Sequence, residues 1–229
     1  MPMTVSEALA ARLSVRDFLP TPVPGALIRE VLAKAARAPS GGNVQPWHID
    51  VLAGEPLAEL KTLMQLRIAE VAAGAPPEEL DYDIYPPNLW PPHRDYRFEL
   101  GEDMYRLLGI PRADRAARLR WFARNYEFFG APMGLFCSIH RGMGRPQWND
   151  LGMYLQSVML LLAEAGIDSC PQEAWSAYPK TVGDFIGLPA ERMLFCGMAI
   201  GHRNPAHPVN ALRSKRAPLE AFARLHGVD

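Results

Sequence analysis

Apolar positions along the chain follow two periods. Leu27, Ile28, Val31, Leu32, Ala35 and Ala36 recur at helical spacing and predict a helix that stops at Pro39-Ser40-Gly41-Gly42. From Trp47 the period drops to two: Trp47, Ile49 and Val51 alternate with His48 and Asp50, the pattern of a half-buried strand. Pro56-Leu57 opens a longer helix with Leu60, Met64, Ile68 and Val71 on one face, which gives way at Gly74-Ala75-Pro76-Pro77. Leu119, Phe122, Tyr126 and Phe129 place another helix over Ala113–Phe129, ended by Gly130-Ala131-Pro132. Met133–Ile139 and Met193–Ile200 read as buried strands, and Ile167–Cys170 as a shorter one. The stretch Leu151–Ala165, capped by Asn149 or Asp150, is apolar nearly all round, interrupted by Gln156 and Glu164. It is too short to span a bilayer, so it must be buried, either in one core or between subunits. Pro179–Leu188 adds a helix, and Thr4 with Glu7 makes a capping box for a short one running to about Arg12. With no internal repeat and no low-complexity linker, the pattern predicts one domain over residues 1–229.

Two segments depart from it. Asp81–Phe98 packs Pro86, Pro87, Pro91 and Pro92 among Tyr82, Tyr85, Trp90, Tyr96 and Phe98, so regular structure is not expected there. An aromatic irregular loop of this length suits the wall or lid of a site for a planar molecule, with Arg94 or Arg97 able to meet an anion; the plainer alternative is a rigid surface crossover. The tail from His202 to Asp229 holds Pro208, Asn210, Leu212, Leu219 and Phe222 in a pattern too ordered for a frayed terminus.

Composition narrows the classes. A net charge of −1 supplies no basic excess for nucleic acid or an anionic membrane surface. Arg112, Arg115, Arg118, Arg120 and Arg124 alternate with apolar positions and read as one solvated helix face. Cys137, Cys170 and Cys196 are widely spaced, without a Cys-x-x-Cys pair, and are expected as buried free thiols in a reducing compartment. The N-terminus lacks a basic region followed by an apolar run, which predicts a cytoplasmic protein. The 6 histidines make no metal-ligand set, and no metal is expected. Gly-x-Ser-x-Gly, Gly-x-Gly-x-x-Gly and the P-loop are absent, and neither Ser14 nor Ser40 has a His/Asp partnership in sight. No catalytic side chain is predicted, which suits a protein whose cofactor carries the chemistry.

Three polar clusters remain. Arg12-Leu13-Ser14-Val15-Arg16-Asp17-Phe18 offers two guanidinium groups and a hydroxyl over five residues, a donor set that suits a phosphate. Pro39-Ser40-Gly41-Gly42-Asn43-Val44-Gln45-Pro46-Trp47 forms a helix-to-strand turn presenting Ser40, Asn43 and Gln45. Arg213-Ser214-Lys215-Arg216-Ala217-Pro218 repeats the Arg/Ser chemistry near the C-terminus. In this order the clusters resemble the FMN-dependent nitroreductase family, over most of the chain. Met143-Gly144-Arg145-Pro146-Gln147-Trp148 and the proline-rich loop resemble its nitrobenzoate and nitroarene reductases.

The resemblance implies an α+β fold: a central, mostly antiparallel sheet flanked by helices, in an intertwined homodimer whose C-terminal arm (202–229) adds a strand to the partner. It implies non-covalent FMN, with Arg12, Ser14, Arg213, Ser214 and Arg216 at the phosphate and Arg16 at the N1/O2 edge of the ring. Pro171, Glu173 and Ala174 would lie against the ring and give a backbone N–H to N5, although Glu173 on its own reads as a surface carboxylate. Pro39, Ser40, Asn43 and Gln45 would come from the partner subunit. NADH or NADPH would reduce the flavin, and a small nitroaromatic would take the electrons in a ping-pong sequence, with Trp90, Arg94 and Tyr96 on the substrate side. Reduction of quinones, enones, free flavin or halogenated aromatics, or FMN binding without turnover, stay open alternatives.

Overall fold

Strands β1 (His48–Ala53), β2 (Met133–His140), β3 (Asp168–Gln172) and β4 (Arg192–Gly201) form one sheet in the order β1-β2-β4-β3, every pairing antiparallel. The computed structural model describes residues 3–228. Among the described residues, seven α-helices accompany the sheet: α1 (Val5–Ala11), α2 (Gly25–Ala35), α3 (Gly54–Ala72), α4 (His93–Leu107), α5 (Arg115–Ala123), α6 (Arg145–Glu164) and α7 (Pro179–Ile186). None of them is long and apolar enough to cross a membrane.

Strand alternation divides the core into two layers. On one face Leu135, Cys137 and Ile139 of β2 and Met198 and Ile200 of β4 meet Ile28 and Val31 of α2 and Leu151, Val158 and Leu162 of α6. On the other, Phe136, Leu194 and Ala199 meet Leu57, Leu60 and Met64 of α3, with Phe128 and Trp175. Close packing on this second face depends on glycine: a Cβ on Gly134 would lie 2.5 Å from the Phe128 ring, and one on Gly197 would run into the Trp175 indole. Cys137 pairs with Cys196 and Ser138 with Leu194, which leaves Phe195 as an extra residue in β4. The bulge is what lets Met193 and Cys196, three residues apart, serve the same layer. Tyr82 donates its hydroxyl to the Phe195 carbonyl and sets its ring 5.1 Å from Trp148, so the start of the 81–98 segment is pinned to the sheet.

Four expectations change. Regular structure does enter 81–98, because α4 begins at His93 and carries Arg94, Tyr96 and Phe98. That helix buries none of its residues, so it has no apolar stripe to betray it. α6 starts at Arg145 behind Gly144, with Gln147 closing the cap, rather than at Asn149 or Asp150. Asp150 instead lies buried inside it and accepts from the Gly41 amide at 3.3 Å. The expected helix to Phe129 ends at Ala123 and becomes a 3-10 turn over Arg124–Gly130, in which Phe128 and Phe129 are left-handed (φ 50° and 54°). Such a pair is costly for non-glycine residues, and burial of both rings offsets it: Phe128 lies 4.5 Å from Trp175 and Phe129 6.2 Å from Trp121. The arginine row is only partly the expected solvated face: Arg112, Arg115 and Arg120 are exposed, while Arg118 and Arg124 are engaged. Arg118 forms a forked pair with Glu102 (2.6 and 3.1 Å) over the Tyr105 ring, and Arg124 pairs with Asp17 at 3.0 Å. All three cysteines are free and buried.

Candidate active site

The N-terminal cluster is placed by β3. After α1, whose capping box closes through Glu7 N to Thr4 Oγ1 (3.2 Å) and Thr4 N to Glu7 Oε2 (2.7 Å), the chain extends along the sheet edge. Ser14 bridges Ser169 in parallel, and the Val15 amide donates to the Ser169 carbonyl at 3.1 Å. Val15 and Phe18 point into the core, which turns Ser14 and Arg16 outward.

The C-terminal cluster reaches the same place through Asn210, a buried side chain that sequence reading left without a role. Its Oδ1 accepts from the Arg16 amide (3.0 Å), its Nδ2 donates to the carbonyls of Asp17 (2.8 Å) and Asn204 (3.0 Å), and its own carbonyl accepts from Arg213 Nη1 (3.1 Å). One amide thus splices segments 194 positions apart. A cavity of about 320 Å³ results, lined by Arg12, Ser14, Arg16, Arg213, Ser214 and Arg216 between Leu9, Leu13, Leu100 and Leu212.

The charge in it is not neutralised from within. Asp17, the acid of the first cluster, is taken by Arg124, and Lys215 by Glu99. Among the described residues none of Arg12, Arg16, Arg213 and Arg216 has a carboxylate partner; Arg16 reaches the Ser14 carbonyl (3.2 Å) and Arg216 the Ser214 hydroxyl (2.6 Å). Guanidinium forks and two hydroxyls with no acid among them suit a dianionic phosphate monoester.

Beside this cavity β3 runs into Pro171–Ala174. Burial raises the Cys170 thiol, and the positive charges of Arg16 and Arg12 oppose that rise. The following turn is held from three sides. Gln172 is buried, donates to the Asn125 carbonyl (2.8 Å) and accepts from Trp175 Nε1 (3.3 Å). Tyr126 donates its hydroxyl to the Ala174 carbonyl (3.2 Å) and Ser176 to that of Glu173 (2.8 Å). Glu173 keeps an exposed surface, yet desolvation by its surroundings pushes its carboxyl above the usual range. Nothing in the local sequence pattern marks Tyr126, Gln172 or Ser176, whose role comes from the fold around them.

The other expected residues lie elsewhere on the single chain. Pro39, Ser40, Asn43 and Gln45 do not line the cavity. They form a preset surface loop, with positive φ at Gly42, Asn43 and Gln45 and the Gln45 amide donating to Ser40 Oγ at 3.0 Å. On the α4 side, a second cavity of about 720 Å³ includes Tyr96 but neither Trp90 nor Arg94. Arg94 pairs with Asp95 at 2.9 Å, and Trp90, 56% exposed, sits edge-on to His93.

Comparison with known proteins bears on the fold and the family. A profile described as "Nitroreductase family" matches residues 9–202. The chain belongs to the nitroreductase family. Within these oxidoreductases it is 36% identical to a 4-nitrobenzoate reductase of Pseudomonas putida, covering 96% of this chain and 95% of that protein. In structure it is similar to the FMN- and NADPH-dependent nitroreductase NfnB of a Sphingopyxis strain (TM-score 0.93, 46% identity, 98% of this chain and 100% of that one). It is also similar to the FMN-dependent NfnB of Mycobacterium smegmatis in complex with NADPH (TM-score 0.90, 29% identity, 97% and 98% covered). The sheet and flanking helices of this nitroreductase are therefore the fold its sequence motifs imply. The family profile ends at 202, so the C-terminal Arg/Ser cluster rests on its convergence with the first one.

Proposed function

We propose that this protein is a cytoplasmic FMN-dependent NAD(P)H oxidoreductase that reduces nitroaromatic compounds, working as a homodimer with shared active sites. The observation that carries the reading is the acid-free cavity in which Arg12, Ser14, Arg213, Ser214 and Arg216 meet from the two ends of the chain. These residues hold the FMN phosphate without a covalent bond, each charge-assisted contact contributing about 1.5–3 kcal/mol. The chemistry supplied by bound FMN is hydride acceptance at N5 and two-electron transfer to a nitro group, the two substrates taking turns at one site.

The chain's own part is binding, orientation and fixed charge. Arg16, whose charge acts on Cys170 of β3, is assigned to the pyrimidine edge, where a cation offsets developing negative charge. The backbone at Glu173 and Ala174 is assigned to N5, and the bonds from Gln172, Tyr126 and Ser176 hold that backbone still. Pro39, Ser40, Asn43 and Gln45 serve the partner's site, which agrees with their distance from the cavity of their own chain. Relatives that are nitrobenzoate and nitrobenzene reductases favour a nitroarene as acceptor.

The test is the absorbance spectrum of the purified protein before and after anaerobic addition of NADH or NADPH, followed by 4-nitrobenzoate. A yellow protein, bleached by the nicotinamide and recoloured by the nitro compound, is the expected result. A colourless protein that takes up no FMN on reconstitution would overturn the proposal.

A further inference from the structure

The larger cavity adjoins the smaller one: Ser14, Leu100, Ser214 and Arg216 border both. Its far wall is Tyr85, from the irregular segment before α4, with His93, Tyr96 and Arg97 from the first turns of that helix. The acids on this wall are committed, Glu99 to Lys215 and Asp103 to Arg106. Arg97 has no carboxylate partner among the described residues and lies 4.1 Å over the Tyr85 ring centroid. The volume of about 720 Å³ therefore combines exposed aromatic faces with an uncommitted fork of donors.

Position excludes a reacting group there. A nitro group or a nicotinamide has to come within about 3–3.5 Å of the flavin ring to react. The second cavity meets the first at Ser14, Ser214 and Arg216, which on the reading above are the phosphate end of FMN. It thus suits a part of a substrate that binds but does not react. Nitroarenes are too small to have such a part, whereas a nicotinamide dinucleotide carries one as large as its reactive half.

We propose that this cavity takes the 2′-phosphoadenosine end of NADPH, the adenine against Tyr85 and Tyr96 and the 2′-phosphate at Arg97, so that Arg97 sets a preference for NADPH over NADH. The inference rests on the FMN reading. Adenosine 2′,5′-bisphosphate and adenosine 5′-monophosphate are the probes, titrated calorimetrically into flavin-loaded protein, with flavin bleaching by NADPH and NADH followed in parallel. Wild type is expected to bind the bisphosphate more tightly. Arg97→Ala should weaken it roughly tenfold or more, one charged contact being worth at least that factor. The same variant should raise the NADPH concentration needed for half-maximal bleaching by a similar factor and leave NADH unchanged. Arg97→Gln, which keeps much of the stacking surface, should lose the same discrimination. Equal binding of the two probes by wild type, or an unchanged NADPH/NADH ratio in both variants, would overturn the inference while leaving a yellow, reducible protein and the FMN reading intact. A colourless protein would overturn both.

Discussion

Arg12→Ala and Arg216→Ala each remove one fork from the acid-free cavity and leave the hydrophobic layers untouched. Flavin affinity is expected to fall about tenfold or more in either variant, since 1.4 kcal/mol is a factor of ten. Flavin content after extensive dialysis, with sedimentation to check assembly, measures it; full retention in both would remove these arginines from the phosphate site. Glu173 offers a prediction with a sign. Its carboxyl is raised in the folded chain by desolvation, so the folded protein holds this proton more tightly than the unfolded one. Its contribution to stability is therefore complete at low pH and is lost as pH rises through the raised value. Glu173→Gln, neutral throughout, should gain on wild type with rising pH and match it below about pH 4. Denaturation midpoints across that range decide, and a constant difference would rule the effect out. If only the Glu173 backbone serves the ring, the same variant keeps most of its hydride-transfer rate; a fall by orders of magnitude with FMN retained would bring the carboxylate into the chemistry. The Arg/Ser residues were legible because donor type and spacing are local. Asn210 was not, since its importance lies in bonds to segments nearly the whole chain away.

At the scale of elements, the second core layer is built on the absence of two side chains. Gly197→Ala would drive a methyl group into Trp175, itself wedged between Phe128 and Phe136. Overpacking of this kind costs about 1–3 kcal/mol, more where the neighbours cannot move. Urea midpoints for Gly197→Ala against Gly152→Ala, whose Cβ would meet nothing within 4 Å, should separate the two clearly. Because Trp175 closes the turn that carries Glu173 and Ala174, the destabilised variant should also lose flavin. Strands β2 and β4 and helices α2 and α3 were readable because each buries one face or both, and burial imposes a period. α4 was not, because prolines precede it and no face of it is buried. The left-handed pair Phe128–Phe129 and the bulge at Phe195 follow from packing between distant elements, which no local propensity encodes. Arg118 and Arg124 departed from the solvated arginine face for the same reason: Glu102 and Asp17, which engage them, come from distant segments.

For the whole molecule, the tail is the part on which the proposal leans hardest. Removing residues 204–229 takes away Asn210 and the entire second Arg/Ser cluster, and with them half the arginines and serines that line the phosphate cavity. Leu219, Phe222 and Leu225 are 51%, 72% and 66% exposed on the single chain, an apolar row that suits cover by a second subunit. The truncated protein is expected to be flavin-poor and a weaker dimer, by absorbance and sedimentation; a yellow, fully active dimer would make the tail a surface appendage. The family was legible from motif order, and the resemblance implied that the chain's ends meet; the Asn210 bonds that join them had to be seen. That meeting crowds four guanidinium groups around one small space. Until an anion arrives they repel one another, so the folded state and its ligand stabilise each other by RT ln(1 + [L]/Kd), about 2.7 kcal/mol at a hundredfold excess of ligand. On the FMN reading, the vitamin supply of the cell then helps to set how much of this polypeptide is protected from proteolysis. An expression host starved of riboflavin should yield less protein on an immunoblot, and adding the vitamin back should restore the amount as well as the colour.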